Sequence, residues 1–254
     1  MLLLKRILPV LTPTAVFLGF EYIFVNADSF WRVVVLIYIL LILSVIIIVY
    51  NKITLSAAWV YLINPILLVS SALLFVILLE SSLLRHLILA ATVLILGSIL
   101  NNIFIYLHQT HRYQAYSFES LIDYSNLIVA FLFFSSFYFL TIFLNILIWQ
   151  LFILAFIIIA LLSYQLIWSN KIDLKRGAVY VFINSLVLSQ LFWAISFLPI
   201  GYLASGLILT LIFYMISGMS KLTLLDRFSL RKSGKYLIIG FLGIIVVLAT
   251  TRWL

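Results

Sequence analysis

The sequence predicts an all-α, polytopic transmembrane helical bundle of about nine spans, with the N-terminus cytoplasmic and the C-terminus outside. Three observations carry this. Apolar residues make up 67% of the 254 positions and charged residues 9%, whereas a soluble domain is about half apolar and about a quarter charged. The apolar residues fall into runs of bilayer length, about 20 residues at 1.5 Å rise each. Short stubs separate the runs, and their Lys and Arg gather on one side.

Taken in order, the spans fall at about 7–25, 31–50, 55–79, 87–107, 121–143, 146–168, 178–198, 202–219 and 236–252. A closed β-barrel is the other way to satisfy every backbone group in lipid. Its strands alternate apolar and polar residues, but Leu151 to Leu162 is apolar at every position. Helices follow. The gaps leave no room for a soluble domain, so 1–254 forms a single integral membrane domain. Two boundaries are thin: Asn145 alone parts spans five and six, and Pro199-Ile200-Gly201 parts seven and eight. Lys5 and Arg6 before an apolar stretch ending at Val25-Asn26-Ala27 have the form of a signal peptide. The stretch is long and interrupted by Pro9 and Pro13, which favours a retained span.

Assigning the ends alternately puts Lys5, Arg6, Lys52, Arg112, Lys171, Lys175, Arg176, Lys221, Arg227, Arg231, Lys232 and Lys235 on one side. Only Arg32, Arg85 and Arg252 fall on the other. Basic residues collect in cytoplasmic loops, hence the orientation and a plasma or bacterial inner membrane. The partners expected are the bilayer, anionic lipids at the basic cytoplasmic loops and a membrane-protein partner. Nucleic acid is excluded, because it needs a basic patch on a water-facing surface. Ser220 to Lys235 places Leu224, Leu225 and Phe228 on one face among five basic residues, which predicts a short amphipathic helix on the anionic leaflet.

The absences narrow the chemistry. There is no cysteine, so disulfides, thiolate metal sites and cysteine nucleophiles drop out. No span contains a lysine to carry retinal, and the paired aspartate-rich motifs of membrane prenyltransferases do not occur. Leu203-Ala204-Ser205-Gly206 lacks the first glycine of the intramembrane serine protease motif, and no histidine follows it. No phosphate loop, HExxH or EF-hand pattern is present. No cofactor is expected. The function expected is non-enzymatic: transport-like, lipid-interacting, or accessory to a membrane complex. The alternative is a small membrane enzyme acting on a lipid or lipid-linked substrate.

Four groups of polar residues remain. Glu21, Asp28, Arg32, Glu80 and Arg85 lie at one outer level; they form either a solute or headgroup cluster or interfacial salt bridges. His108 and His111, with Glu119 and Asp123, could supply two imidazoles and two carboxylates for a divalent metal. The plainer reading makes Ser120 the N-cap of span five, with Asp123 at its third position. Asn64-Pro65 near the middle of span three marks a kinked-helix site or a static kink. Ser185, Ser189 and Gln190 lie close to one stripe of span seven, which predicts that this face turns into the bundle.

Overall fold

The computed structural model describes residues 2–114 and 116–251; Arg252, assigned above to the outer side, lies outside them. The described elements are helices α1 Leu2–Val25, α2 Phe30–Val49, α3 Leu55–Ile77, α4 Ser82–His108, α5 Ser117–Leu144, α6 Ile148–Ser169, α7 Leu174–Ile195, α8 Tyr202–Leu224 and α9 Leu230–Thr250, with short 3₁₀ turns at Ala27–Ser29 and Thr110–Arg112. All nine helices are long and apolar enough to cross a membrane. Their outward faces are apolar: α2 exposes Trp31, Leu36 and Leu43, and α9 exposes Ile238, Leu242 and Ile245. In water such contiguous apolar faces are a liability; against acyl chains they cost nothing.

The chain divides into two compact units, Met1–Ser125 and Asn126–Leu254, the boundary falling inside α5. In the first unit α1 packs on α2 and α4, and α3 packs on α2 and α4. Leu41, Leu68, Leu96 and Leu100 fill the space between them. In the second unit α6 packs on α7, α7 on α8 and α8 on α9. There the Tyr138 hydroxyl donates to the Phe192 carbonyl at 3.0 Å, so a buried phenol meets an acceptor rather than hydrocarbon.

The thin boundaries are sharp in backbone terms. Asn145, directly after α5, has φ 50°, and Asn51, Lys171 and Asp226 take the same left-handed conformation just past α2, α6 and α8. A residue in that region ends a helix because the next amides cannot continue the ladder. The α7–α8 connection turns through Ser196 to Gly201, a turn longer than the tripeptide in the sequence reading.

Several helices begin earlier than the apolar runs do. Hydropathy marks hydrocarbon, but backbone hydrogen bonding continues into the polar layer. Span four gains Ser82 to His86. Span five starts at Ser117, directly after Tyr116 at φ 67°, so Ser120 is not an N-cap; its amide donates to the Tyr116 carbonyl at 3.0 Å. Span seven starts at Leu174, capped by the Asp173 carboxylate accepting from the Lys175 amide at 3.2 Å. The separate amphipathic helix expected at 220–235 does not form. Its residues extend the flanking helices instead: α8 runs on to Leu224, and α9 starts at Leu230 behind Ser229, whose hydroxyl accepts from the Lys232 amide.

Candidate functional site

The outer-level acids and bases do not form one cluster. Glu21 sits on the last turn but one of α1 and meets a residue the sequence reading passed over: His86 Nε2 lies 3.3 Å from Glu21 Oε1. The other imidazole nitrogen, Nδ1, is 2.7 Å from the Ser82 carbonyl. A carbonyl only accepts, so Nδ1 carries a hydrogen there and Nε2 is the nitrogen turned to the carboxylate. The two form an ion pair when Nε2 also carries a proton, and no aligned hydrogen bond joins them. Arg85 turns elsewhere: its Nε donates to the Leu79 carbonyl at 2.6 Å, and its guanidinium lies 5.7 Å from the centre of the Phe24 ring. Asp28, in the 3₁₀ turn after α1, is exposed, as are Arg32 and Glu80. Because α1 stops at Val25, Asp28 does not continue the face of Glu21.

Of the proposed metal ligands, His108 serves a helix end. His108, in the last turn of α4, donates through Nε2 to the Ile48 carbonyl at 2.8 Å and stacks its ring beside Phe104. Lys5 donates from Nζ to the Tyr50 carbonyl at 2.6 Å and is itself buried. The C-terminus of α2 therefore receives donors from both α1 and α4. Its last carbonyls have no intrahelical partners and carry the negative end of the dipole. His111 is exposed in the turn after α4, while Glu119 is buried and accepts from the Tyr113 hydroxyl at 2.5 Å. Removal from water and the neighbouring carboxylate push the Tyr113 phenol well above its ordinary range. Asp123 follows one turn later on α5. Among the described residues no three His, Asp or Glu side chains come together as a metal would require.

Asn64 is fully buried, and its side-chain oxygen accepts from Ser125 at 2.8 Å, tying α3 to α5 within the first unit. Pro65 stays inside an unbroken α3. On α7, Ser185 and Ser189 are fully buried, their hydroxyls donating to the Val181 and Leu186 carbonyls. Gln190 is exposed, contrary to the expected inward stripe. Each residue advances a helix by about 100°, so the position after Ser189 swings out of the line that Ser185 and Ser189 share. The residue that takes part instead is Asn184, which exchanges hydrogen bonds with Ser220 of α8 at 3.2 and 3.3 Å.

Among the described residues, grooves open sideways along helix pairs. The one between α1 and α2, about 680 Å³, is lined almost wholly by apolar residues, among them Leu11, Ala15, Gly19, Leu36, Leu40 and Leu43. A smaller one of about 450 Å³ follows the α1–α4 seam, and one of about 290 Å³ follows the α6–α7 seam.

Residues 7–250 match the DUF5656 family model, described as a protein of unknown function. The chain belongs to this family. No curated protein and no solved structure matches it. In this DUF5656 chain, then, the functional residues have to be argued from their own geometry. His86 is one candidate that the sequence alone did not single out; its signal was a histidine at the head of span four, four residues after a serine and beside Arg85. Which of the two neighbours faces α1 depends on how α1 and α4 dock, and no local pattern carries that.

Proposed function

We propose that the protein is a multi-pass, non-enzymatic protein of a plasma or bacterial inner membrane that works by interacting with lipid. The observation that carries the reading is the α1–α2 groove. It is open on its side, apolar, and runs along α1 from Leu8 to Tyr22, a rise of about 21 Å. That exceeds the roughly 15 Å hydrocarbon depth of one leaflet, a shape for an acyl or isoprenoid chain rather than a polar solute. Several polar groups that a solute path or an active site would use are instead engaged: His108 at a helix end, Glu119 with Tyr113, and Asn64 and Asn184 in helix–helix bonds.

The orientation belongs to the same reading. The α6–α7 and α8–α9 connections lie at one end of the second unit and carry or flank Lys171, Lys175, Arg176, Lys221, Arg227, Arg231, Lys232 and Lys235. The connections at the other end, Asn145 to Leu147 and Ser196 to Gly201, carry no basic residue. The basic end is cytoplasmic by the positive-inside rule, with anionic lipid as its neighbour, and α9 then ends outside.

Native mass spectrometry of the full chain released from mild detergent tests the lipid reading. The wild type should retain lipid, and Ala15→Trp, which fills the groove from a half-exposed position, should retain markedly less while melting at a similar temperature. Equal retention by the two would refute it and return the choice to a transport-like or accessory role.

A further inference from the structure

We propose that the α1–α4 groove binds one anionic phospholipid, with Arg6 and Asn101 holding the headgroup. The proposal rests on the chain's working among lipids, but it uses a different groove from the one above. The Glu21–His86 pair fixes the antiparallel register of α1 and α4 at one end. Counting fifteen residues back along α1 reaches Arg6, and fifteen forward along α4 reaches Asn101. Both residues line the groove. Both are exposed and make no hydrogen bond or ion pair among the described residues. Neighbouring Lys5 is already committed to the Tyr50 carbonyl, so of these two adjacent cations Arg6 is the one left for a ligand in the groove.

The rest of the groove suits a chain beneath a headgroup. Its walls are Pro9, Val10, Pro13, Val93 and Leu94. The hydroxyls of Thr14 and Ser98, which also line it, are turned back onto the carbonyls of their own helices, at 2.9 Å for Leu11 and 2.8 Å for Leu94. Gly97 keeps the floor low: a methyl group there would stand 3.4 Å from the Pro9 carbonyl oxygen. A guanidinium can take a phosphate through two parallel N–H donors, and the Asn101 amide adds another. Lys52 and Arg112 lie at the same end of this unit, which favours a headgroup of net negative charge over one carrying its own cation.

The test is binding of phosphatidylglycerol and of phosphatidylcholine to the full chain, read by native mass spectrometry after delipidation. Phosphatidylglycerol should bind preferentially. Arg6→Gln should weaken it about five-fold, the factor that about 1 kcal/mol per basic residue at a membrane surface implies. Ser98→Phe, which narrows the groove without touching the guanidinium, should weaken both lipids. Lys52→Gln, at the same end but outside the groove, should leave binding unchanged. Equal losses in Arg6→Gln and Lys52→Gln would mean diffuse charge attraction and overturn the site. So would equal binding of the two lipids, protection from heat by inorganic phosphate alone, or a dimer that Ser98→Phe dissociates. If Ser98→Phe fails to fold, Arg6→Gln, at an exposed unbonded position, still decides. Equal binding of the two lipids by the wild type, with lipid still retained, would sink this site and spare the α1–α2 groove.

Discussion

His86 approaches Glu21 to 3.3 Å across the α1–α4 seam, with the imidazole held in place from behind by the Ser82 carbonyl. The two side chains are 52% and 32% exposed, so the pair is only partly screened from its surroundings, and exposed ion pairs contribute about 0.2–1 kcal/mol. We expect Glu21→Gln and His86→Ala each to lower resistance to SDS-induced unfolding modestly, with a coupling of about 0.5–1 kcal/mol in a double-mutant cycle. Arg85→Ala should show no coupling to Glu21→Gln, because its guanidinium serves Leu79 and Phe24. Coupling to Arg85 and none to His86 would reverse the pairing.

Close helix approach in the second unit gives a stronger effect. A methyl group on Gly206 of α8 would lie 2.2 Å from the Ser135 hydroxyl oxygen and 2.7 Å from the Ser135 Cα of α5. Backbone cannot yield as a side-chain tip can, and small residues at such crossings let membrane helices pack through their backbones. Gly206→Ala should therefore destabilise by about 1–3 kcal/mol, the usual cost of overpacking. Gly234→Ala on α9, where nothing lies within 4 Å of the added carbon, should be neutral or slightly stabilising. Similar melting temperatures for the two variants would contradict the α5–α8 contact.

Much of this arrangement is legible in the amino-acid sequence, and the parts that are not share a cause. The nine apolar runs are visible because hydrocarbon selects composition over about 20 residues at a stretch. The break at Asn145 is visible because one polar residue interrupts two such runs, and its left-handed φ is the local reason. Gln190 was within reach too, since its angular offset from Ser189 follows from helix geometry alone. The earlier starts of α4, α5, α7 and α9 were hidden because their first turns are polar and look like loop. The partners of Glu21, His108 and Lys5 depend on which helix docks beside which, a relation between distant segments. His108 and Lys5 meeting the same helix end is a clear case: 103 residues part them in the chain.

Tyr113 carries a pH prediction, since it lies in the connection between α4 and α5. Its phenol is raised above the ordinary value by loss of water and by the Glu119 carboxylate. A group with a raised folded-state value contributes stability that is fully present below its unfolded value, about 10 for tyrosine. That contribution is lost as pH climbs from there toward the folded value. Tyr113→Phe should thus be less stable than the wild type by about 1 kcal/mol at neutral pH, and the gap should narrow above about pH 10. Thermal melts of both proteins between pH 7 and 11 measure it. A gap that stays constant or widens in alkali would refute the raised phenol.

The chain's lack of cysteine makes its orientation directly measurable, because any introduced thiol is the sole target of a maleimide. Lys52→Cys, Lys175→Cys and Lys232→Cys replace exposed residues at connections or first helical turns. Gly201→Cys sits in the α7–α8 connection, where an added side chain meets open space. If basic residues mark the cytoplasmic side, a membrane-impermeant maleimide applied to intact cells should label only Gly201→Cys. After permeabilisation all four should react. The comparison is internal to the second unit for Lys175, Lys232 and Gly201, whose helices α6 to α9 pack in sequence, so it does not depend on how the first unit is placed. Labelling of Lys175→Cys and Lys232→Cys from opposite sides would require an odd number of crossings between them and would overturn α7 and α8, both long and apolar enough to cross a membrane, as a pair of spans.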